Sequence, residues 1–210
     1  MSKTNNSLQT TIQELEDMFE IFNSVYFESK LSKPVITVSP DTTKGAYGWC
    51  TSYKAWKNAS GKDGYYEINI CAEHLARPFK DVAGTMLHEM IHLYNLERGV
   101  KDCSRGGTYH NAKFKAAAET HGLNVEADTK YGWCITSLNA QSEEIVEDFM
   151  DDLGKITFDL FREAIKKQPK ASGKSSSRKY VCPCCGLIIR ATKEVKVKCY
   201  ECDELLIEEA

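Results

Sequence analysis

Apolar residues recur every three or four positions near the start of the chain, which is the spacing of one face of an α-helix. They predict an amphipathic helix over residues 8–29, with apolar positions Leu8, Ile12, Leu15, Phe19, Phe22 and Tyr26. A second helix is predicted from near Pro78, a residue favoured in the first turn, to just before Gly99, a suitable left-handed cap. This second helix is apolar on nearly every side, so we expect it to be buried and the first helix to pack on it.

Short runs of β-branched and aromatic residues between the two helices predict strands. They cover residues 34–38, 46–52 and 65–71, and a polar segment with two glycines, residues 58–64, suits a hairpin or a longer loop. We therefore expect an antiparallel sheet of about three strands before the second helix. The pattern predicts an α+β fold in which a small antiparallel sheet packs on helices.

The second half of the chain is predicted to contain three more elements: a helix over residues 108–121, a strand over residues 131–136 and a long helix over residues 142–167. Residues 168–179 contain a proline, a glycine and three consecutive serines among lysines, a composition typical of linkers. We predict one domain over residues 1–167, a basic flexible linker over 168–179, and a small domain over 180–210.

The 210-residue chain has a formal net charge of −3 and 42% hydrophobic residues, an ordinary balance for a soluble globular protein. The charge is nevertheless unevenly distributed. Residues 1–161 contain 16 lysines and arginines and 23 acidic residues. Residues 162–198 contain 11 lysines and arginines and only 2 acidic residues, and residues 199–210 contain 0 and 5. A strongly basic stretch in an otherwise acidic chain is expected where a protein meets a polyanion.

The N-terminal residues are polar, and no apolar run approaches the roughly 20 residues that span a bilayer. We therefore expect a cytoplasmic protein without a secretion signal or a membrane segment. The nine cysteines then favour metal binding or buried thiols over disulfides. Four of them, Cys50, Cys71, Cys103 and Cys134, are scattered singly, and we interpret them as small buried residues rather than ligands.

The first motif that indicates a chemical activity is His88-Glu89-Met90-Ile91-His92, which lies on the predicted buried helix. Positions i and i+4 share one helix face, so both imidazoles can reach a single metal ion with Glu89 beside its open coordination position. Zinc held by protein ligands lowers the pKa of its bound water to about 7, and an adjacent glutamate can accept the proton. The motif predicts zinc-dependent peptide hydrolysis, with His88 and His92 as ligands and Glu89 as the general base.

A catalytic zinc usually has a third protein ligand, and three downstream residues are candidates: His110, Glu119 and His121. His110 follows a Gly-Gly loop at the predicted start of a helix, where the chain can turn back onto the metal-bearing helix. Glu119 and His121 lie more than two turns later and would reach the site only if that helix crossed it in the opposite direction. We favour His110 and keep the other two as alternatives.

The chain from residue 8 to residue 136 resembles the SprT-like metallopeptidases. The resemblance is carried by the N-terminal helix, a strand like Tyr66-Glu67-Ile68-Asn69-Ile70, the HExxH motif, and Gly107-Thr108-Tyr109-His110-Asn111-Ala112-Lys113-Phe114. It implies a zincin-like fold, zinc ligands His88, His92 and His110, and catalytic Glu89. The family includes proteases that degrade proteins crosslinked to DNA. Many relatives have glycine after the third histidine, where this chain has Asn111.

Two further roles are predicted for this domain. The strand over residues 66–70 could pair with an extended substrate by edge addition. A donor to the oxyanion of the tetrahedral intermediate is expected, and Tyr109 and Tyr131 are candidates.

The C-terminal cysteines form two C-x2-C pairs, Cys182 with Cys185 and Cys199 with Cys202, separated by thirteen residues. Each pair can form a knuckle, and four thiolates together bind one tetrahedral Zn²⁺, leaving no position for water. Cys184 could replace Cys185, but only Cys185 has the knuckle spacing. We predict a structural zinc ribbon with strand-like segments over residues 187–190 and 195–198, which depends on its metal to fold.

A basic arm runs into the predicted ribbon, and it comprises Lys166, Lys167, Lys170, Lys174, Arg178, Lys179, Arg190, Lys193, Lys196 and Lys198. Tyr180 and Tyr200 could stack on bases, so we predict DNA as a partner beside the protein substrate. Two rival hypotheses remain. The chain could be a non-catalytic nucleic-acid-binding zinc protein, or a metallopeptidase that acts on a dedicated protein without DNA.

Overall fold

The computed structural model of the chain describes residues 7–41, 45–163 and 177–209, which fall into two units, Met1–Ala164 and Ile165–Ala210. The described part of the first unit contains the helices α1 (Leu8–Phe27), α2 (Phe79–Glu97), α3 (Ala112–Thr120) and α4 (Ala140–Leu153). Its strands are β1 (Val35–Ser39), β2 (Gly48–Cys50), β3 (Trp56–Lys57), β4 (Gly64–Tyr65), β5 (Glu67–Cys71), β6 (Cys103–Ser104), β7 (Tyr109–His110), β8 (Leu123–Asp128) and β9 (Gly132–Leu138). The predicted α+β class is confirmed.

Helix α2 forms the centre of the core, as its apolar composition predicts. It begins directly after Pro78 and is followed by Gly99 at φ 66°, so both predicted ends are confirmed. Eight of its apolar side chains are at most 2% exposed: Phe79, Val82, Ala83, Met86, Leu87, Met90, Ile91 and Leu93. Helix α1 packs on it, and the side chain of Ser7 caps α1 by accepting the amide hydrogen of Thr10.

The first sheet has the strand order β1-β5-β2, and it is mixed rather than antiparallel as predicted. Strand β1 is parallel to β5, whereas β2 is antiparallel to it. The reason is that β5 inserts between the two earlier strands, and the long connection from β1 to β5 allows the parallel pairing. The predicted hairpin is confirmed, since β3 pairs with β4 across the polar segment.

The second sheet has the order β6-β7-β9-β8 and contains two departures from prediction. The helix predicted over residues 108–121 begins only at Ala112, because Asn111 caps it by accepting the amide hydrogens of Lys113 and Phe114. Tyr109 and His110 form strand β7 instead. Strand β8, which pairs antiparallel with β9, was not predicted, since half of its six residues are exposed.

The long helix predicted over residues 142–167 is too long. Helix α4 ends at Leu153, and Gly154 follows in the left-handed conformation at φ 65°. Glycine adopts this conformation without steric cost, so it stops the helix where the local sequence otherwise continues to favour one.

The described part of the second unit is a three-stranded antiparallel sheet. It consists of β10 (Arg178–Val181), β11 (Ile188–Ala191) and β12 (Ile207–Glu209), in the order β11-β10-β12. The strand predicted over residues 187–190 corresponds to β11. The one predicted over 195–198 makes only a single bridge, Lys198 to Leu205. The predicted linker over residues 168–179 lies mostly outside the described residues, and its last two residues belong to β10.

Among the described residues, no helix combines the length and the apolar character needed to cross a membrane.

Candidate metal centres

Three imidazoles meet in a cleft beside helix α2. His88 and His92 lie one turn apart on the helix, and His110 approaches from strand β7. The Nε2 atom of His110 is 3.1 Å from the Nε2 atoms of both His88 and His92. Imidazole nitrogens that share one tetrahedral zinc at about 2.0–2.1 Å are separated by about 3.4 Å, so the three side chains fit a zinc ion with little movement.

Two of the three imidazoles are oriented by hydrogen bonds at their other nitrogen. His92 Nδ1 lies 2.8 Å from Asp102 Oδ2, and His88 Nδ1 lies 3.0 Å from Thr136 Oγ1. Such partners fix the tautomer and the ring plane of a metal-ligating histidine. The Nδ1–H groups then donate to these oxygens, and both Nε2 lone pairs face the other imidazoles. This arrangement supports a cation at the shared point.

Asp102 connects the two segments that carry the imidazoles. Its carboxylate accepts from His92 and from Asn95 Nδ2, which is 3.1 Å away, while its backbone carbonyl accepts the amide hydrogen of Asn111 at 2.9 Å. Asn111 also donates its side-chain amide to the carbonyl of Lys101. The base of the β6–β7 hairpin is therefore clamped beside His110, and Asn111 has a local function as hairpin clamp and helix cap.

Burial dominates the electrostatics of the imidazole cluster. It lowers the pKa of His88 well below its usual value, and the neighbouring imidazoles lower it further. It lowers the pKa of His110 to about 4, again with a contribution from His92. Burial also opposes charge on His92, but the hydrogen bond to Asp102 and the charges of Glu89 and Asp102 outweigh it and raise that pKa. Two of the rings are thus neutral near pH 7, the form in which imidazole binds metals.

Glu89 lies in the same cleft and is only 6% exposed. Burial raises the pKa of its carboxyl group to about 7, against a smaller opposing effect of His92. A divalent cation on the adjacent imidazoles would favour the carboxylate and lower this pKa. The geometry thus places a proton acceptor beside a site that can hold a metal.

The two alternative third ligands lie elsewhere. Glu119 is exposed and lies 3.6 Å from Lys115 Nζ in an ion pair. His121 stacks on Phe27 with ring centroids 4.7 Å apart, and its Nδ1 atom is bonded to the carbonyl of Ala117. Of the three candidates, only His110 joins the imidazole cluster.

Sequence reasoning missed the residues that orient the cluster. Asp102 lies between two predicted helices, and Thr136 lies on a strand 48 positions from its partner His88. Neither position carries a local pattern that predicts a histidine partner. A carboxylate shortly after an HExxH helix was the single available signal, and it pointed to no particular histidine.

The strand predicted to receive substrate is not at an edge. Strand β5 is paired on both sides, with β1 and β2, so its backbone groups are already used. Strand β2 lies at the edge of that sheet and lines the cleft. Its Gly48 packs so tightly that an added Cβ would lie 2.7 Å from the carbonyl of Asn69 and 3.4 Å from Glu89 Cγ.

The two candidate oxyanion donors differ in position. Tyr131 lines the cleft and is 43% exposed. Tyr109 is not among the cleft residues in the described part of the chain. Its ring packs near Gly132 and lies under the guanidinium of Arg105, which is 4.4 Å from the ring centroid. Tyr131 is therefore the better placed of the two.

The four single cysteines include three at the cleft, Cys50, Cys103 and Cys134, whereas Cys71 is fully buried. Cys103 lies close to His92 and Asp102, so it adjoins the imidazole cluster. Burial raises the pKa values of the Cys71 and Cys103 thiols to about 12 and raises that of Cys50 further. The prediction of small buried residues is confirmed for Cys71, whereas Cys50, Cys103 and Cys134 are only partly buried, and Cys103 forms a further group of possible ligands with His92 and Asp102.

The second cluster comprises Cys182, Cys185, Cys199 and Cys202, whose sulfur atoms all lie within 4.8 Å of one another. Cys185 Sγ is 3.7 Å from Cys199 Sγ, close to the roughly 3.8 Å between thiolates on a tetrahedral zinc. Cys184 is exposed and outside this group. The cluster fits a zinc ribbon.

The two knuckles have the same backbone shape. Gly186 follows Cys185 at φ 74°, and Asp203 follows Cys202 at φ 60°. The amide hydrogens of Gly186 and Asp203 are donated to the carbonyls of Cys182 and Cys199. Backbone amides of the first knuckle lower the pKa of Cys182 to about 7, whereas hydrogen bonds with neighbouring cysteines raise the pKa values of Cys185 and Cys202. A divalent cation would favour the thiolate form of all four.

In the ribbon, the burial and the ion pairs of several side chains differ from what the predicted DNA contacts require. Tyr180 is 3% exposed and packs in the small core with Leu206, so the prediction that it stacks on bases is wrong. Tyr200 is fully exposed. Arg178 and Lys179 pair with Glu208 and Glu209 across the sheet, which partly neutralises the arm. Three of its cations are exposed and have no ion pair within the described residues: Arg190, Lys193 and Lys196.

A helix with two imidazoles one turn apart, a third imidazole and a buried carboxylate at one cleft are characteristic of the metallopeptidase class. Residues 15–132 match the model of the SprT-like family, and the chain belongs to this family. The membership supports a metallopeptidase-type function and agrees with the resemblance stated from the sequence. A search of curated proteins finds no match to the chain.

Proposed function

We propose that the protein is a zinc-dependent endopeptidase that cleaves proteins bound or crosslinked to DNA. The His110 Nε2 atom lies 3.1 Å from those of His88 and His92, beside a buried glutamate, and this is the observation that carries the peptidase part. Membership of the SprT-like family supports the same chemistry.

In this proposal His88, His92 and His110 hold the zinc ion. Zinc bound there supplies Lewis acidity to the scissile carbonyl and lowers the pKa of a water molecule. A carboxylate oxygen of Glu89 accepts the proton of the attacking water and then passes it to the nitrogen of the leaving amine. Asp102 and Thr136 keep the His92 and His88 rings aligned throughout.

Substrate binding is proposed at the edge strand β2 instead of the strand predicted from the sequence. An extended peptide can pair with the outer edge of Gly48–Cys50 and lie across the cleft next to Glu89, whose carboxylate accepts the backbone amide of Cys50. Tyr131, with its exposed position on the cleft wall, is the proposed donor to the oxyanion.

The proposed DNA contact rests on the charge distribution and on the ribbon. Arg190, Lys193 and Lys196 offer cations to phosphates, and Tyr200 offers a fully exposed ring. Structural zinc in the four-cysteine site would hold this surface together. Cleavage would then be directed to proteins that are already held on DNA.

The test is incubation of the zinc-loaded chain with a DNA-binding protein substrate, with and without DNA. Glu89→Gln should retain both metals and lose at least about a hundredfold in cleavage rate, because the proton acceptor is gone. Glu144→Gln is the matched control, because it makes the same chemical change at an exposed position on α4 that does not line the cleft. Cleavage by Glu89→Gln at the wild-type rate would refute the mechanism.

The two rivals predict other outcomes. A non-catalytic nucleic-acid-binding protein shows no cleavage, including self-cleavage, in the presence of DNA. A peptidase for a dedicated substrate cleaves equally well without DNA and after neutralisation of Arg190, Lys193 and Lys196. The proposal requires cleavage that depends on both DNA and these cations.

A further inference from the structure

The β3–β4 hairpin of the first unit exposes two aromatic side chains next to each other. Trp56 and Tyr65 are directly opposed across the two antiparallel strands. Opposed residues project from the same face, with Cβ atoms about 4.5–5.5 Å apart. Trp56 is 45% exposed and Tyr65 is 39% exposed, so a large part of both rings faces solvent. Neither ring packs against the core, which leaves a small aromatic platform.

Two lysines lie near the Tyr65 side of this platform. Tyr65 also lines a shallow depression together with Tyr66, Lys54 and Lys62. Lys54 Nζ is 5.9 Å from the centroid of the Tyr66 ring. Lys54 and Lys62 are exposed, and neither has an ion pair in the described part of the chain. We name Lys54, Trp56, Lys62, Tyr65 and Tyr66 the hairpin patch.

Three of the described acidic residues lie near the hairpin patch, and each accepts a hydrogen bond. Glu97, which is exposed and lines the same depression, accepts the amide hydrogen of Ser32 at 3.3 Å. Asp63 accepts from the side-chain amide of Asn58 at 2.6 Å, and Glu67 accepts from the indole nitrogen of Trp56 at 2.5 Å. Lys33, at the far side of the depression, is paired with Glu16 at 2.9 Å. Lys54 and Lys62 are therefore the cations whose charge is directed to solvent beside the exposed rings.

We propose that the hairpin patch binds single-stranded DNA, with bases stacked on Trp56 and Tyr65 and phosphates next to Lys54 and Lys62. Stacking platforms combined with unpaired cations are the chemistry by which single strands are held without sequence preference. A duplex hides the faces of its bases, so it cannot use this platform. The surface is separate from the ribbon and lies on the catalytic unit itself.

The hairpin patch follows the edge strand β2 closely in the sequence, and this bears on catalysis. Trp56 follows Cys50, the last residue of the edge strand, by six residues, and these span at most about 20 Å. A strand held by the patch therefore keeps an attached protein within reach of the cleft. This inference rests on the proposed function in one respect, since the proposed function identifies the bound polymer as DNA.

The test measures binding alone, in the full zinc-loaded chain carrying Glu89→Gln so that cleavage does not interfere. The probe is a fluorescein-labelled thymidine single strand, followed by fluorescence anisotropy. Replacing Trp56 and Tyr65 with alanine should raise Kd at least about tenfold, the effect of losing two stacked bases. Replacing Lys54 and Lys62 with glutamine should flatten the dependence of log Kd on log salt by roughly 1.4, about 0.7 per phosphate contact.

The matched control replaces Trp56 and Tyr65 with phenylalanine. This pair loses the indole hydrogen bond to Glu67, as the alanine pair does, but retains both ring faces. It should bind within about twofold of the parent, which separates stacking from any effect of the lost hydrogen bond on folding. An equal loss in the phenylalanine and alanine pairs would overturn the proposal.

Unchanged binding in the alanine pair would also overturn it and would favour a protein contact at this surface. In a chain whose Arg190, Lys193 and Lys196 are also replaced by glutamine, equal affinity for a duplex of the same length would overturn stacking as the basis of recognition. Because cleavage is not measured, failure here leaves the peptidase proposal untouched. Failure of Glu89→Gln to reduce cleavage likewise leaves the hairpin patch untouched.

Discussion

Replacing Asp102 with asparagine removes one negative charge from the imidazole cluster and preserves the shape of the side chain. The wild-type carboxylate is 8% exposed and accepts from His92 Nδ1 at 2.8 Å. A hydrogen bond to a charged partner contributes about 1.5–3 kcal/mol, and one to a neutral partner about 0.5–1.5 kcal/mol. The loss of about 1.4 kcal/mol should weaken zinc binding at the imidazoles about tenfold.

Asp102→Ala should weaken binding further, to about a hundredfold, because it leaves both His92 Nδ1 and Asn95 Nδ2 without an acceptor. Thr136→Val removes only a neutral partner of His88, so we expect a loss of no more than several-fold. Asp148→Asn, an exposed position on α4, controls for the change in total charge and should have no effect.

The assay is metal titration with cobalt as the reporter, since cobalt on four thiolates has a charge-transfer band that cobalt on imidazoles lacks. The two sites can then be followed separately in the same chain. The ribbon signal should be equal in all variants. Unchanged affinity of the imidazole site in Asp102→Asn and Asp102→Ala would refute the role assigned to this carboxylate.

Two further predictions concern single residues at the two metal centres. Gly132→Ala should displace His110 and abolish metal binding at the imidazoles, since its φ is 73° and its Cβ would lie 2.2 Å from the His110 carbonyl. Gly154→Ala is the comparison variant: the added Cβ has open space, so it should lower the free energy of unfolding by only about 1–2 kcal/mol. Denaturation should show a larger loss for Gly132→Ala. Equal losses in the two variants would contradict the packing argument. Cys185→Ser should release one zinc per chain and unfold the ribbon, whereas Cys184→Ser should retain both metals by metal analysis, and the reverse result would mean that the other register is used.

Features set by neighbouring residues could be predicted from the sequence. Helix α2 begins after Pro78 and ends before Gly99 as predicted, because the start and stop signals are local. Gly154 is a local signal of the same kind within the helix that was predicted too long, so that error was avoidable. The parallel pairing of β1 was not, since it depends on β5, about thirty residues later.

In the candidate site, too, some features are set by neighbouring residues and others by tertiary packing. His88 and His92 share a helix face by periodicity alone, and His110 was favoured by its position after the Gly-Gly loop and then by the resemblance. Their roles as zinc ligands stay a prediction, as do those of Glu89 and the four cysteines. The partners of the imidazoles and the edge position of β2 depend on tertiary packing, which no local pattern encodes. The position of Tyr180 could not be predicted either, because a tyrosine in a strand can lie in the core or on the surface.

The clamp between Asp102 and Asn111 insulates the metal centre from the tip of the β6–β7 hairpin. Both residues are fixed at the base, and beyond them Gly106 and Gly107 face open space. Lengthening a loop at such a tip costs only about 0.6 kcal/mol per doubling. The interval of eighteen residues between His92 and His110 is therefore not set by the metal, and chains with longer or shorter tips can retain the same three imidazoles.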